Sequence, residues 1–155
     1  MMTNLSFKVI NTLAGKTLVT AESCTGGGIG AALTAVPGSS AVYKGGVICY
    51  TNWVKENILG VGTDLLNSKG AVSAPIAEAM AIGARKTLDA DIAVSVTGLA
   101  GPGGDEYGNP VGTVFIGYSC LEKTVSRMFL FSGDREEIRA QAVTEALRMI
   151  LEYNA

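Results

Sequence analysis

The fold is decided by residues 17–36, which read TLVTAESCTGGGIGAALTAV. The segment from Thr17 to Ala21 is mostly apolar or β-branched, which predicts a short buried strand. The segment from Gly26 to Val36 is built from small and apolar residues, and it is predicted to form a helix that ends at Pro37-Gly38. A buried strand, a loop and a helix in this order are the building unit of α/β folds. The loop is therefore expected at the carboxyl edge of a sheet, where such folds bind ligands.

Two further apolar segments repeat this arrangement on the C-terminal side. Val47 to Tyr50 is predicted to be the second strand, and a short helix from about Asn52 to Leu59 follows it. Ile92 to Val96 is predicted to be the third strand, and the glycine-rich loop from Gly98 to Gly104 follows it. Because parallel strands end at the same edge of a sheet, the segments that follow these strands are expected to form one site. Those segments are residues 22–27, 51–55 and 97–104.

The end of the chain completes the predicted fold. Val111 to Ser119 and Val125 to Phe131 are expected to form a hairpin that turns at Leu121-Glu122-Lys123. Asp134 and Glu137 have the spacing of a capping box at the start of the last helix. The sequence therefore predicts an α/β fold, a three-layer α/β/α sandwich. Its central sheet is mixed and mostly parallel, with an antiparallel hairpin at one edge, and residues 1–155 form a single domain.

Composition narrows the classes of partner and the compartment. The chain of 155 residues carries a net charge of −2 and has no dense cluster of Lys and Arg, so we expect no nucleic-acid partner. No apolar run approaches the roughly 20 residues that cross a bilayer, so we expect no membrane partner. The first 13 residues are too polar for a signal peptide, and three separated cysteines are typical of reduced thiols. We therefore expect a cytoplasmic protein.

The absence of histidine constrains the chemistry most. It excludes Ser-His-Asp, Cys-His and histidine–zinc mechanisms, so an acid–base catalyst must be Lys, Tyr, Cys or a carboxylate. The residues that fit such a mechanism are Ser39-Ser40, Tyr50 and Lys55, because a desolvated lysine can accept the proton of a serine hydroxyl. The alternative is an exposed lysine and a serine in a turn, and Lys44 is an equally available amine.

The two glycine-rich loops each allow more than one interpretation. Ser23 to Gly27 is either a helix start prepared for an anion or a plain Ser/Thr cap with glycines for close packing. Gly98 to Gly104 either lets a ligand approach the backbone or is a flexible surface loop. Gly26 to Ala31 also satisfies the GxGxx[GA] dinucleotide pattern. However, Tyr50 stands where that fold has an acidic residue at the end of the second strand.

Several collinear motifs resemble one known family, the CinA C-terminal domain. The motifs are Thr20-Ala21-Glu22-Ser23-Cys24-Thr25-Gly26-Gly27, Pro37-Gly38-Ser39-Ser40-Ala41, Tyr50-Thr51-Asn52 with Lys55, Gly70-Ala71-Val72-Ser73, Val96-Thr97-Gly98 through Gly104, and Pro110-Val111-Gly112-Thr113-Val114. The family is similar to nicotinamide-nucleotide amidohydrolases, and this chain looks like its stand-alone form.

The resemblance implies an amidohydrolase that converts nicotinamide mononucleotide to nicotinic acid mononucleotide and ammonia. It implies a Ser-Tyr-Lys catalytic group at Ser40, Tyr50 and Lys55, no metal or other cofactor, and a homo-oligomer. The residues expected to bind the substrate are Ser23, Thr25, Gly26, Gly27, Asn52, Thr97, Gly98, Gly101 and Gly103. The alternatives are a non-catalytic nucleotide-binding module of the same fold and a dinucleotide-dependent enzyme.

Overall fold

The structure, a computed structural model, describes residues 2–155 and the side chains from Thr3 onward. Its centre is one five-stranded sheet with the order β2-β1-β3-β4-β5. The strands are β1 (Leu18–Glu22), β2 (Tyr43–Ile48), β3 (Ile92–Gly98), β4 (Thr113–Cys120) and β5 (Thr124–Leu130). The first three are parallel, and β4 runs antiparallel to both of its neighbours. The predicted mixed sheet with a hairpin at one edge is confirmed.

Helices cover both faces of the sheet. They are α1 (Met2–Thr12), α2 (Gly28–Thr34), α3 (Asn52–Asn57), α4 (Thr63–Lys69), α5 (Ala74–Thr87) and α6 (Arg135–Tyr153). Helices α1, α2 and α6 contact one another on one face, whereas α5 lies along the sheet on the other. Strand β3 contributes side chains to the core on both faces of the sheet. Ile92, Val94 and Val96 belong to one buried cluster, and Ala93 belongs to the other. The predicted three-layer sandwich is therefore confirmed.

A capping box fixes the start of the last helix. The Asp134 carboxylate accepts a hydrogen bond from the Glu137 N–H, and the Glu137 carboxylate accepts one from the Asp134 N–H. This capping box, predicted from the sequence, starts α6 at Arg135. Helix α4 was not predicted, because its seven residues are mostly polar and lie between glycines.

Strand β2 starts earlier in the chain than the sequence predicted. It begins at Tyr43 rather than Val47, because Gly45-Gly46 belongs to the strand although it has the composition of a turn. A Cβ at Gly46 would overlap the hydroxyl of Thr20 on the neighbouring strand, so only glycine fits there. Ser40 therefore lies in a single 3-10 turn, Ser39–Ala41, directly before β2. Tyr50 follows the same strand, whose six residues span about 20 Å.

Gly83 in the middle of α5 provides a test of how tightly α5 packs against the segment after α3. In an exposed helix, Gly→Ala stabilises by roughly 1 kcal/mol. Here a Cβ at Gly83 would overlap the backbone carbonyl of Leu59, which cannot swing away. We predict that Gly83→Ala lowers the free energy of unfolding by about 1–3 kcal/mol, measured by urea denaturation.

Gly62→Ala is the matched control for that experiment. Its φ is −65°, and the nearest atom to an added Cβ is 3.8 Å away. We expect a change within about 0.5 kcal/mol of the parent value. A Gly83→Ala variant as stable as the parent would show that α5 and the Leu59 segment are less closely packed than described.

Candidate active site

A cleft of about 310 Å³ opens at the carboxyl edge of the parallel strands. It lies there because Glu22 at the end of β1 pairs with Ile48 of β2 and with Val96 of β3, which brings the following loops together. Eight residues that the sequence indicated for the site line the cleft: Ser23, Tyr50, Asn52, Lys55, Thr97, Gly98, Gly101 and Gly103. The structure does not place Ser40, Thr25, Gly26 or Gly27 in its lining.

Lys55 is the most unusual residue of this cleft. Only 1% of its surface is exposed, yet among the described residues it forms no ion pair with a carboxylate. Its Nζ donates a hydrogen bond to the Cys49 carbonyl at 2.8 Å and lies 3.2 Å from the Oγ of Ser23. Burial lowers the pKa of Lys55 below its ordinary value, and the thiols of Cys49 and Cys24 only partly oppose this shift. Burial therefore shifts the equilibrium toward the neutral amine relative to an exposed lysine.

Ser23 is the hydroxyl that this amine contacts. It is the first residue after β1, and its N–H donates to the Val96 carbonyl of β3 at 2.9 Å, which ties it to the sheet edge. Its side chain is 8% exposed and reaches the cleft. A neutral Nζ within 3.2 Å is placed to accept the Oγ proton. The structure thus pairs Lys55 with Ser23 across 32 residues of sequence.

The predicted partner of Lys55 lies elsewhere. Ser40 precedes β2 and Lys55 follows it, so the two residues are at opposite edges of the sheet. The structure therefore brings Tyr50 and Lys55 to one cleft, but it does not bring Ser40 of the same chain to them. The predicted catalytic group of Ser40, Tyr50 and Lys55 stays a prediction. Lys44 is no alternative base for the cleft, because its exposed Nζ donates to the Asp89 carbonyl at 3.0 Å.

Glu22 explains why the start of α2 is not an anion site. Its carboxylate, 2% exposed, accepts hydrogen bonds from the Thr25 hydroxyl, the Ile29 N–H and the Gly30 N–H at 2.8, 2.8 and 3.0 Å. Three donors at this helix start are therefore occupied by the protein's own carboxylate, which would also repel a second anion. The hydrogen bonds of Glu22 argue against the interpretation of Ser23 to Gly27 as a helix start prepared for an anion. The substrate-binding roles of Thr25, Gly26 and Gly27 stay predictions. The same three hydrogen bonds argue against the dinucleotide interpretation, which places a pyrophosphate at this helix start.

Arg139 holds the same loop from the opposite side. Its Nε donates to the Cys24 carbonyl at 3.0 Å and its Nη2 to the Thr25 carbonyl at 3.2 Å. Glu22 thus binds donors of the loop and the following helix, while Arg139 binds carbonyls of the loop. The loop that carries Ser23 is fixed by charged groups on both sides, and its glycines adopt left-handed φ angles of +59° at Gly26 and +102° at Gly27.

Arg135 was missed by the sequence analysis and lies at the mouth of the cleft. Its Nη1 donates to the Gly101 carbonyl at 2.6 Å and its Nη2 to the Tyr50 hydroxyl at 3.0 Å. The exposed Tyr50 is thus bonded to Arg135 and not to Lys55. The available sequence signal was the spacing of Arg135 and Arg139, which places two cations four residues apart on one face of the last helix.

The glycine-rich loop forms the remaining wall. The Thr97 hydroxyl donates to the Ala71 carbonyl at 2.8 Å and joins the end of β3 to the segment before α5. A Cβ at Gly98 would approach Val114 Cγ2 to 2.6 Å, so the backbone is close-packed there. Gly101 has a φ of +99° and presents its carbonyl to Arg135. This wall is an ordered part of the cleft.

A larger cavity, about 590 Å³, lies at the opposite edge of the sheet. Its cationic lining consists of Lys16, Arg85 and Lys123. Arg85 is in the last turn of α5, where a helix C-terminus stabilises positive charge. Arg85 thus has a structural explanation, whereas the buried Lys55, which forms no ion pair among the described residues, does not. We therefore place the chemistry in the smaller cleft.

Two further searches of residues 2–155 bear on the classes of function. Among these residues no group of three or more His, Cys, Asp or Glu side chains is arranged to hold a metal ion. No helix in this part of the chain is long and apolar enough to span a membrane.

Known proteins share both the sequence and the fold. The CinA C-terminal domain family matches residues 3–154. A CinA-like protein of Parasynechococcus marenigrum is 58% identical over 140 residues, which cover 88% of this chain and 32% of that protein. A CinA-like protein of a Mycobacterium strain is 47% identical over 139 residues, which cover 89% of this chain and 33% of that protein. The chain thus spans about a third of the length of these relatives.

Solved structures of similar length superimpose along almost the whole chain. The competence/damage inducible protein CihA from Agrobacterium tumefaciens is 41% identical with a TM-score of 0.95, covering 99% of this chain and 96% of that one. A CinA superfamily protein from Klebsiella pneumoniae is 36% identical with a TM-score of 0.95. The match covers 98% of this chain and 96% of that one. With this fold, this family match and these relatives, the chain belongs to the CinA C-terminal domain family.

Proposed function

We propose that the protein is an amidohydrolase that converts nicotinamide mononucleotide to nicotinic acid mononucleotide and ammonia, with Ser23 as nucleophile and Lys55 as base. The observation that carries this proposal is the 3.2 Å contact between the Ser23 hydroxyl and a buried lysine without a carboxylate partner. Burial lowers the pKa of that lysine, which a general base requires. The choice of substrate rests on the resemblance to nicotinamide-nucleotide amidohydrolases.

The reaction begins with proton transfer from Ser23 to the neutral Nζ of Lys55. The Oγ then forms a bond to the carboxamide carbon, and the carbonyl electrons move to the oxygen of a tetrahedral intermediate. The Lys55 ammonium returns the proton to the leaving nitrogen, the C–N bond breaks, and ammonia departs. Lys55 next accepts a proton from water, whose oxygen attacks the ester. The acid is released and Ser23 regains its proton.

The candidate backbone donor for the oxyanion is the N–H of Thr25, which follows the cleft-lining residue Cys24. The C=O and N–H of a trans peptide point in opposite directions. Because Arg139 binds the Cys24 carbonyl, the Thr25 N–H of the same peptide points away from Arg139. No hydrogen bond within the described residues occupies this N–H. A preorganised N–H beside the nucleophile stabilises the charge that develops on the carbonyl oxygen.

The remaining cleft residues have roles in substrate binding. Asn52 offers an amide beside Lys55, and Thr97 and Gly98 form the floor at the end of β3. Gly101 and Gly103 let the ribose approach the backbone without side-chain clashes. Tyr50 closes the mouth of the cleft and is held there by Arg135.

A non-catalytic nucleotide-binding module is the second candidate function, and Lys55 argues against it. A binder gains nothing from a buried lysine that contacts a serine hydroxyl, because the burial costs stability without contributing to recognition. Ammonia release from nicotinamide mononucleotide, without metal or added cofactor, separates the hydrolase from the binder and from a dinucleotide-dependent enzyme.

The identity of the nucleophile gives the first kinetic prediction. Ser23→Ala should lower kcat by at least about 1,000-fold, because it removes the attacking oxygen. Ser40→Ala is the matched control: it makes the same change at the far edge of the sheet and should retain kcat within about two-fold. Ammonia release measures both. Loss of activity in Ser40→Ala together with an active Ser23→Ala would return the nucleophile to Ser40.

The charge state of Lys55 gives the second kinetic prediction. Because the base must be neutral, kcat/KM should rise with pH through an ionisation below the ordinary lysine pKa of 10.5. Lys55→Met keeps the length of the side chain and removes the amine, so kcat should fall at least about 100-fold at every pH. Lys44→Met, an exposed control, should keep the parent profile.

The same shift has a consequence for stability that does not depend on turnover. Since the folded state lowers the pKa of Lys55, the unfolded chain binds more protons between the folded and the ordinary value. The contribution of Lys55 to the free energy of unfolding therefore rises with pH across this window. Lys55→Met should remove that rise in urea denaturation, and an unchanged pH dependence would contradict the lowered pKa.

A further inference from the structure

The cleft contains one charged side chain that the proposed chemistry does not use, Arg135. We propose that Arg135 recognises the phosphate of the substrate and thereby sets the preference for a phosphorylated over an unphosphorylated nicotinamide riboside. This inference rests on the proposed function for its substrate. It replaces the start of α2 as the phosphate site, because Glu22 occupies the donors there.

The position of Arg135 suits the end of a substrate opposite to the reacting amide. Ser23 and Lys55 are buried at the inner end of the cleft, whereas Arg135 is exposed at its mouth. The guanidinium spans the opening, from the Gly101 carbonyl on one wall to the Tyr50 hydroxyl on the other. In a mononucleotide the ribose separates the ring amide from the phosphate, so the phosphate lies toward the mouth when the amide meets Ser23.

The charge of Arg135 is not compensated within the described residues. The ion pairs of residues 2–155 are Arg127–Glu152 and Arg148–Glu145, and neither involves Arg135. No Asp or Glu side chain lines the cleft, and burial lowers the pKa of its other basic group, Lys55. A dianionic phosphate would therefore meet one positive group in this cleft.

The acidic residues next to Arg135 are engaged in the helix cap. The Asp134 carboxylate accepts from the Glu137 N–H, and the Glu137 carboxylate accepts from the Asp134 N–H. The acceptors that Arg135 does contact, a backbone carbonyl and a phenol, are both uncharged. A phosphate forms stronger, charge-assisted and bidentate hydrogen bonds with a guanidinium, so it can displace these neutral acceptors.

The test compares two substrates in one variant. In Arg135→Gln we expect kcat/KM for nicotinamide mononucleotide to fall by about 10- to 100-fold. For nicotinamide riboside it should stay within about two-fold of the parent value. Arg135→Lys, which keeps the charge but loses the fork, should retain an intermediate preference. Arg148→Gln on the same helix is the control, and it should leave both values unchanged. Equal losses for both substrates, or an unchanged ratio, would overturn the proposal.

A binding experiment keeps this inference separate from the hydrolase itself. Absence of ammonia release from the parent protein would refute the proposed function, yet calorimetric titration with ribose 5-phosphate and with ribose still tests Arg135. We expect the parent protein to bind ribose 5-phosphate at least ten times more tightly than ribose, and Arg135→Gln to lose this difference. No difference in the parent, or one that survives in Arg135→Gln, would overturn the role of Arg135.

Discussion

A lysine buried without a carboxylate is the constraint on which the site depends. Removing an ammonium from water costs several kcal/mol, and without a counter-ion the protein meets this cost most easily by keeping the amine neutral. Burial lowers the pKa of Lys55, whose Nζ contacts one carbonyl and one hydroxyl, those of Cys49 and Ser23. In the proposed mechanism, a neutral amine beside a serine takes the role of the histidine that the chain lacks. The surrounding structure can be understood as what keeps these two groups in contact.

The loop that carries Ser23 is held by two charged side chains that never reach the cleft. Glu22 takes three hydrogen bonds from the loop and from α2, and Arg139 gives two to the loop carbonyls. The carboxylate thereby uses the positive end of a helix for rigidity instead of ligand binding. In the proposed binding mode, the phosphate does not bind at that helix start and instead meets Arg135, the cation at the mouth of the cleft.

The local sequence pattern was sufficient to predict the layers, the hairpin and the capping box, because each depends on periodicity or on short spacing. It also predicted that three loops meet at one edge of the sheet. It was insufficient where a contact crosses the sheet. Gly45-Gly46 has the composition of a turn, and only the closeness of Thr20 shows why β2 needs a glycine. The grouping of Ser40 with Lys55 came from residue chemistry and from the family resemblance, neither of which says where the two residues lie in the sheet. The pairing of Ser23 with Lys55, and the return of Glu22 onto α2, depend on tertiary packing that no spacing reveals.

The covalent intermediate tests the central claim most directly. The protein is mixed with nicotinamide mononucleotide, quenched in acid within one turnover and digested with trypsin, and the acylated peptide is fragmented in a mass spectrometer. Residues 17–44 form one tryptic peptide that contains Ser23, Ser39 and Ser40, so fragmentation has to locate the adduct within it. This account predicts the acyl group on Ser23. An acyl group on Ser39, Ser40 or Cys24 would contradict it.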